Sequence, residues 1–143
     1  MTNFELHPDL KRDGILIGRF PLSLVLLIND SAYPWFVLVP RRAGIKDAID
    51  LEPADYQQLS AESRLFSLSL KQIFSAEKLN IAALGNMTPQ LHVHHIVRSS
   101  SDPAWPNPIW GFQPLTAYTT EEVVSIRKRL AAANIESLKT TSC

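Results

Sequence analysis

The sequence predicts an α+β fold: one antiparallel sheet of about five strands, a long central helix and a second helix near the C-terminus. Three observations predict it. Short apolar runs bounded by turn formers crowd the first third of the chain, as strands of a meander do. A run opening at Leu51-Glu52-Pro53 repeats its apolar residues at helical spacing. Beyond it, β-branched and apolar residues alternate again through Leu91-His92-Val93-His94-His95-Ile96-Val97.

Each element follows in order. Gly14–Arg19 and Leu22–Ile28 read as strands broken by Phe20-Pro21, and Trp35–Val39 as a third, ended by Pro40. The turn Asn29-Asp30-Ser31-Ala32-Tyr33-Pro34 makes the second and third antiparallel neighbours. Proline is tolerated in the first turn of a helix and acids suit its positive end, so Leu51-Glu52-Pro53 starts one. Tyr56, Leu59, Phe66, Leu70 and Ile73 form its apolar stripe, carrying it to about Ala76. Leu79–Leu84 is a fourth strand, and Gly85-Asn86-Met87-Thr88-Pro89 leads into the histidine strand. Three prolines and two tryptophans between Ser99 and Gly111 imply a stiff, packed loop. Thr119-Thr120-Glu121-Glu122 is a capping-box start for the last helix, with Val123, Ile126 and Leu130 as its buried stripe. A single domain over residues 1–143 is expected, its core about 14–133, with a frayed tail after Ala133.

Composition narrows the function. The chain has 143 residues, 45% hydrophobic and 20% charged, with 14 basic against 14 acidic side chains. That balance leaves no broad basic field to attract nucleic acid, so any phosphate recognition is local. Cys143 is the only cysteine, which excludes a disulfide framework and a cysteine-based zinc site. Met1-Thr2-Asn3-Phe4-Glu5 lacks a signal-peptide pattern, and Leu22–Ile28 is too short to span a bilayer, which needs about 20 residues. The expectation is a cytoplasmic globular protein without nucleic-acid or membrane partners.

The chemistry concentrates in Gln90-Leu91-His92-Val93-His94-His95, which holds three of the four histidines. A strand sends successive side chains to opposite faces, so Gln90, His92, His94 and Arg98 share one face. His95 joins Leu91, Val93 and Val97 on the other, where packing or subunit contact is its expected role. Arg98, at the strand's end, is expected to be solvated or salt-bridged. A neutral imidazole can attack phosphorus if its other ring nitrogen is held and donors stabilise the non-bridging oxygens. His92 and His94 supply a nucleophile and an adjacent donor; Gln90 and Asn86 offer further amides, and Gly85 a close backbone approach. His-x-His on a strand is also a metal-ligand pair. Here, though, no Asp or Glu occurs between Glu77 and Asp102, and His7 is remote in sequence. Two imidazoles on one face beside Gln90 and Arg98 speak against purely structural roles.

The stretch Gly85-Asn86-Met87-Thr88-Pro89-Gln90-Leu91-His92-Val93-His94-His95-Ile96-Val97-Arg98 resembles the histidine triad (HIT) superfamily, whose signature is His-φ-His-φ-His-φ-φ with φ apolar. Gln90 stands where the first histidine belongs, His92 is the middle one and His94 the third. Ile28-Asn29, Tyr33-Pro34 and Leu38-Val39-Pro40-Arg41-Arg42 resemble the family's nucleotide-binding hairpin, and the likeness covers roughly residues 14 to 110. The resemblance implies a HIT-like fold, a homodimer whose two sheets join across the subunit contact, and nucleotide or dinucleotide substrates. It implies that His92 attacks the α-phosphorus to form a nucleotidyl-histidine, that His94 assists the phosphate and leaving group, and that Asn29 holds ribose. No cofactor or metal is required. Three departures stand out: Gln90 cannot titrate, Ala43 follows the Val-Pro-basic-basic run where many members carry histidine, and the Asn/Gly-rich loop before the motif is missing. His94-His95 and Asp102-Pro103-Ala104-Trp105 look like a bacterial subgroup often labelled diadenosine tetraphosphate hydrolase. A nucleotide hydrolase or nucleotidyl transferase is therefore the leading expectation, including phosphoramidate hydrolysis or transfer to a sugar phosphate. A non-catalytic nucleotide-binding module, then a histidine metal-binding protein, are the alternatives.

Overall fold

Apolar alternation builds the sheet and leaves both of its faces to be covered. The computed structural model describes residues 3–141, so Cys143 lies outside the described residues. In chain order the elements are α1 (Pro8–Asp13), β1 (Gly14–Arg19), β2 (Ser23–Ile28), β3 (Trp35–Pro40), α2 (Pro53–Ile73), β4 (Lys78–Ala82), β5 (Val93–Arg98), α3 (Thr120–Ala132) and β6 (Lys139–Thr140), with a 3-10 turn at Ala48–Asp50. The strands form one sheet in the order β4-β5-β3-β2-β1-β6, and every pairing is antiparallel. The α+β class holds, with six described strands where five were expected.

Strand parity divides the core. Val25, Leu27, Phe36, Leu38 and Val97 face α2 and α3, packing against Leu59, Phe66, Leu70, Ile126 and Leu130. Leu26, Ile28, Trp35, Val37, Val39 and Ile96 face the other way. That second face is covered by Leu10 of α1 and by Ala104 and Ile109 of the loop after β5. His92 and His94 open on this loop-covered side.

Several expectations need correction. The histidine strand begins at Val93, not Leu91; residues 90–92 precede it, with Gln90 at a bend, and the Leu91 N–H donates to Ile45 O at 2.9 Å instead of to a strand partner. The fourth strand runs Lys78–Ala82 and not to Leu84, because Leu84 and Gly85 turn away toward the motif. The long helix ends at Ile73, three residues early. Its buried face is Leu59, Glu62, Phe66 and Leu70, whereas Tyr56 projects outward and is exposed. Val123 is half-buried beside the buried Ile126 and Leu130. The described segment after Ala133, residues 134–141, does not fray: Ile135 is buried and β6 pairs with β1, Gly18 opposite Thr140.

Candidate active site

The strand and the residues just before it bring two imidazoles to one opening. The rings of His92 and His94 lie with centroids 5.0 Å apart at 69°. Both line a cavity of about 320 Å³ with Gly85, Asn86, Thr88 and Trp110. Both also line an adjoining cavity of about 180 Å³ walled by Leu10, Ile28, Trp35 and Leu115, with Asp9 and Asp13 at its edge. Other depressions, between α3 and β6 and between α2 and β4, contain no histidine.

Hydrogen bonds fix which nitrogen of each ring carries the proton. Nδ1 of His92 lies 2.7 Å from Gln90 O. A carbonyl oxygen only accepts, so Nδ1 of His92 bears a proton, and in the neutral ring Nε2 is left as a free lone pair. His94 is the reverse: its Nδ1 accepts the indole N–H of Trp35 at 2.9 Å. An indole only donates, so the proton of His94 sits on Nε2. Burial, reinforced by the neighbouring His92 and His95, pulls the His94 pKa down to about 3. A lone-pair nitrogen and a neutral N–H donor thus stand side by side, as an attack on an electrophilic phosphorus requires.

His95 sits behind the strand, fully buried. Its Nδ1 donates to Val93 O at 2.9 Å, and Ser63 Oγ of α2 donates to its Nε2 at 2.7 Å. Burial lowers its pKa to about 4. Its ring packs edge-on against Phe66, so it belongs to the α2 side, as strand parity implied.

The remaining sequence candidates divide. Gly85 and Asn86 line the larger cavity. Gly85 has φ of 74°, in the left-handed region where a side chain is strained, and glycine lets the turn to Thr88 close. Gln90 is directed elsewhere: its Oε1 accepts the His7 N–H at 2.9 Å and its Nε2 donates to Glu5 O at 2.8 Å. Its backbone oxygen, not its amide, serves His92. Asn29 follows the cavity residue Ile28, but its Oδ1 accepts the Tyr118 N–H at 2.9 Å. His7 caps α1, its Nδ1 accepting from the Asp9 N–H at 3.1 Å. Among the described residues, no group of three or more His, Cys, Asp or Glu is arranged to hold a metal ion. No helix there is long and apolar enough to cross a membrane.

Arg98 shares the parity of His94, yet it is withdrawn from the opening. It is 2% exposed, paired to Asp102 at 2.8 and 3.1 Å, and bonded to Asn80 Oδ1 at 2.7 Å and Asn107 O at 2.8 Å. It ties down the loop whose Trp110 stands edge-on to His94 at 5.2 Å. Sequence reading missed Trp35, Asp9, Leu10, Asp13 and Leu115 as walls of the site. The α1 residues carry no periodic signal, and Trp35 looks like any core residue until the β3–β5 register is known.

Comparison with known proteins identifies the family of the chain. The HIT domain model matches residues 10–101. A histidine triad protein from Marinobacter aquaeolei VT8 is 45% identical, with TM-score 0.91 over 95% of this chain and 98% of that one. A histidine triad protein from Sinorhizobium meliloti 1021 is 44% identical, with TM-score 0.89 over 92% and 97% of the two chains. One from Bradyrhizobium japonicum is 47% identical, with TM-score 0.89 over 91% and 97%. No curated protein matches the chain. With a family model spanning most of the sequence, and solved structures alike over nearly their whole length, the chain belongs to the histidine triad family.

Proposed function

We propose that the chain is a nucleotide hydrolase or nucleotidyl transferase working through a nucleotidyl-histidine intermediate. The family's general association with nucleotide hydrolysis and transfer supports this. One observation carries the reading: the His92 proton is pinned on Nδ1 by Gln90 O, which leaves Nε2 free beside the N–H of His94 in a shared opening. Nε2 of His92 attacks the α-phosphorus, the bond to the leaving oxygen breaks, and water then releases the nucleoside monophosphate. His94 donates to the phosphate, the Gly85-Asn86 turn supplies further donors, and Gln90 acts through its backbone oxygen. The nucleoside lies against Leu10, Ile28, Trp35 and Leu115, with Asn29 offering its remaining amide N–H to the ribose. A dinucleoside polyphosphate such as diadenosine tetraphosphate is the proposed substrate.

The protein acts as a cytoplasmic homodimer in this reading. β4 is a sheet edge, and Tyr56, Ile81 and Leu84 are exposed around it, a surface suited to joining two sheets. Sedimentation of a monomer at micromolar concentration would count against it.

The test incubates wild type and His92→Asn with labelled diadenosine tetraphosphate and with a nucleotide sugar. The expected result is an acid-labile adduct and monophosphate release in wild type, both lost in the variant. Turnover undiminished by His92→Asn sinks the nucleophile assignment. Binding without turnover favours a non-catalytic nucleotide-binding module, the reading favoured by Gln90, whose amide is spent on Glu5 and His7.

A further inference from the structure

The histidine pair contains a nucleophile and a donor, but nothing placed to release a proton. His94 accepts the Trp35 indole N–H on Nδ1. To become an imidazolium, it would have to set an Nδ1–H against that N–H, two donors facing one another at 2.9 Å. In its neutral form the Nε2 proton can be shared in a hydrogen bond, but giving it up entirely would leave an imidazolate. His92 commits its Nδ1–H to Gln90 O. Among the described residues lining the two cavities, the other ionisable side chains are Asp9 and Asp13. Asp9 accepts from Thr88 Oγ1 at 2.8 Å, which with the nearby His7 and Arg12 charges outweighs burial and holds its carboxyl below the usual range. Both oxygens of Asp13 accept from Arg12 at 2.9 Å. Gln90, at the first position of the triad, has no proton to transfer and is bonded to the N-terminal segment.

We infer that the site selects substrates by leaving group: it acts on nucleotides whose leaving group departs as an anion, a phosphoanhydride oxygen above all, and discriminates against phosphoramidates. Trp35 is the positioning residue that sets this preference. The inference rests on the proposed attack by His92. In the first step the Nε2 lone pair of His92 forms the N–P bond, and the P–O pair leaves on a polyphosphate oxygen that is stable without a proton. His94 hydrogen-bonds the departing charge and keeps its proton. In the second step water attacks phosphorus, the N–P pair returns to Nε2 and the water proton passes to solvent. A phosphoramidate instead needs a proton on nitrogen as its P–N bond breaks, because an unprotonated amine anion is too basic to leave. The site offers none.

General acid catalysis typically contributes about 10²–10⁴ in rate, so the missing proton is a measurable handicap. The experiment compares kcat/KM of the wild-type protein for diadenosine tetraphosphate and for an adenosine 5′-phosphoramidate of an alkyl amine, which release the same nucleotidyl group. It adds ring ¹⁵N NMR of His94. The expected result is at least about 100-fold preference for the anhydride, with His94 held as the Nε2–H tautomer through neutral pH. In Trp35→Phe the Nδ1 lone pair is released, and the preference should narrow by about tenfold or more, with a new acidic rise in the phosphoramidate pH profile. Comparable wild-type rates on both substrates overturn the inference while His92 chemistry stands. Turnover of neither overturns the reading beneath it. A His94 protonated on Nδ1 near neutral pH overturns the role of Trp35 whatever the rates, and does so without the variant.

Discussion

Substituting Asp102 by asparagine tests how the loop over the second core is held. Arg98 is 2% and Asp102 7% exposed at the side chain, so this pair is shielded from the solvent that makes surface ion pairs nearly worthless. Burial pushes the Asp102 carboxyl up, but the hydrogen bonds and charge of Arg98 and the N–H groups of Ser99 and Trp105 outweigh it, leaving its pKa below the ordinary value. Asparagine keeps the volume and one acceptor, but removes the charge and sets an NH₂ group against a guanidinium. The buried cation then keeps only uncharged hydrogen-bond partners: Asn80 Oδ1, Asn107 O and at most one amide oxygen at position 102. Breaking a buried pair from one side typically costs about 3–5 kcal/mol, against a total stability of about 5–15 kcal/mol. For a chain of this size, that corresponds to a fall of roughly 10–20 °C in Tm. Calorimetry and urea unfolding of Asp102→Asn measure it, with the m value unchanged. The double variant Arg98→Met/Asp102→Leu should recover much of the loss, since no unpaired charge remains. A loss below about 1 kcal/mol, or a double variant as unstable as the single one, would refute the argument that an orphaned buried charge is the cause.

Two further outcomes follow from buried polar groups. Burial lowers the pKa of His94 to about 3 and of His95 to about 4, below the ordinary 6.5. The unfolded chain therefore binds more protons between those limits: stability is complete above about pH 6.5 and erodes as pH falls through 4 toward 3. His95 alone accounts for about 2–3 kcal/mol between pH 7.5 and 4.5, and urea midpoints equal at those two pH values would contradict it. Glu62, 1% exposed, accepts the N–H groups of Leu22 and Ser23 at 2.8 and 3.0 Å. Glu62→Gln preserves the shape but sets a donor against one of them, at a cost of about 1–3 kcal/mol by urea unfolding; a neutral substitution would mean that water reaches the β1–β2 turn.

What the chain reveals unaided is what depends on near neighbours. Short apolar runs bounded by turn formers sufficed for β1, β2 and β3, and the capping box for α3, because those signals are local. The short helix α1 offers one buried residue, Leu10, and so no period to detect. The two-residue β6 exists only because β1 is there to pair with it. In the site the same division decides more. The spacing of His92 and His94 singles them out, but not which nitrogen of each carries the proton. For His92 that is settled two residues away, by Gln90 O, a bond made possible because the strand starts at Val93 and not before. For His94 it is settled across the sheet, where Val37 pairs with His94 and Trp35 with Ile96. That register brings an indole from the same face onto Nδ1, and no short motif encodes it. The orientation of the Gln90 side chain is set from a third distance, by contacts to Glu5 and His7 more than eighty positions earlier in the chain. A triad motif thus identifies the imidazoles, while partners elsewhere in the fold decide which ring nitrogen of each is engaged and which is left facing the cavity. On the chemistry proposed above, those properties separate an anhydride from a phosphoramidate, so the leaving group is to be read from Trp35, whose indole holds Nδ1 of His94, and not from family membership alone.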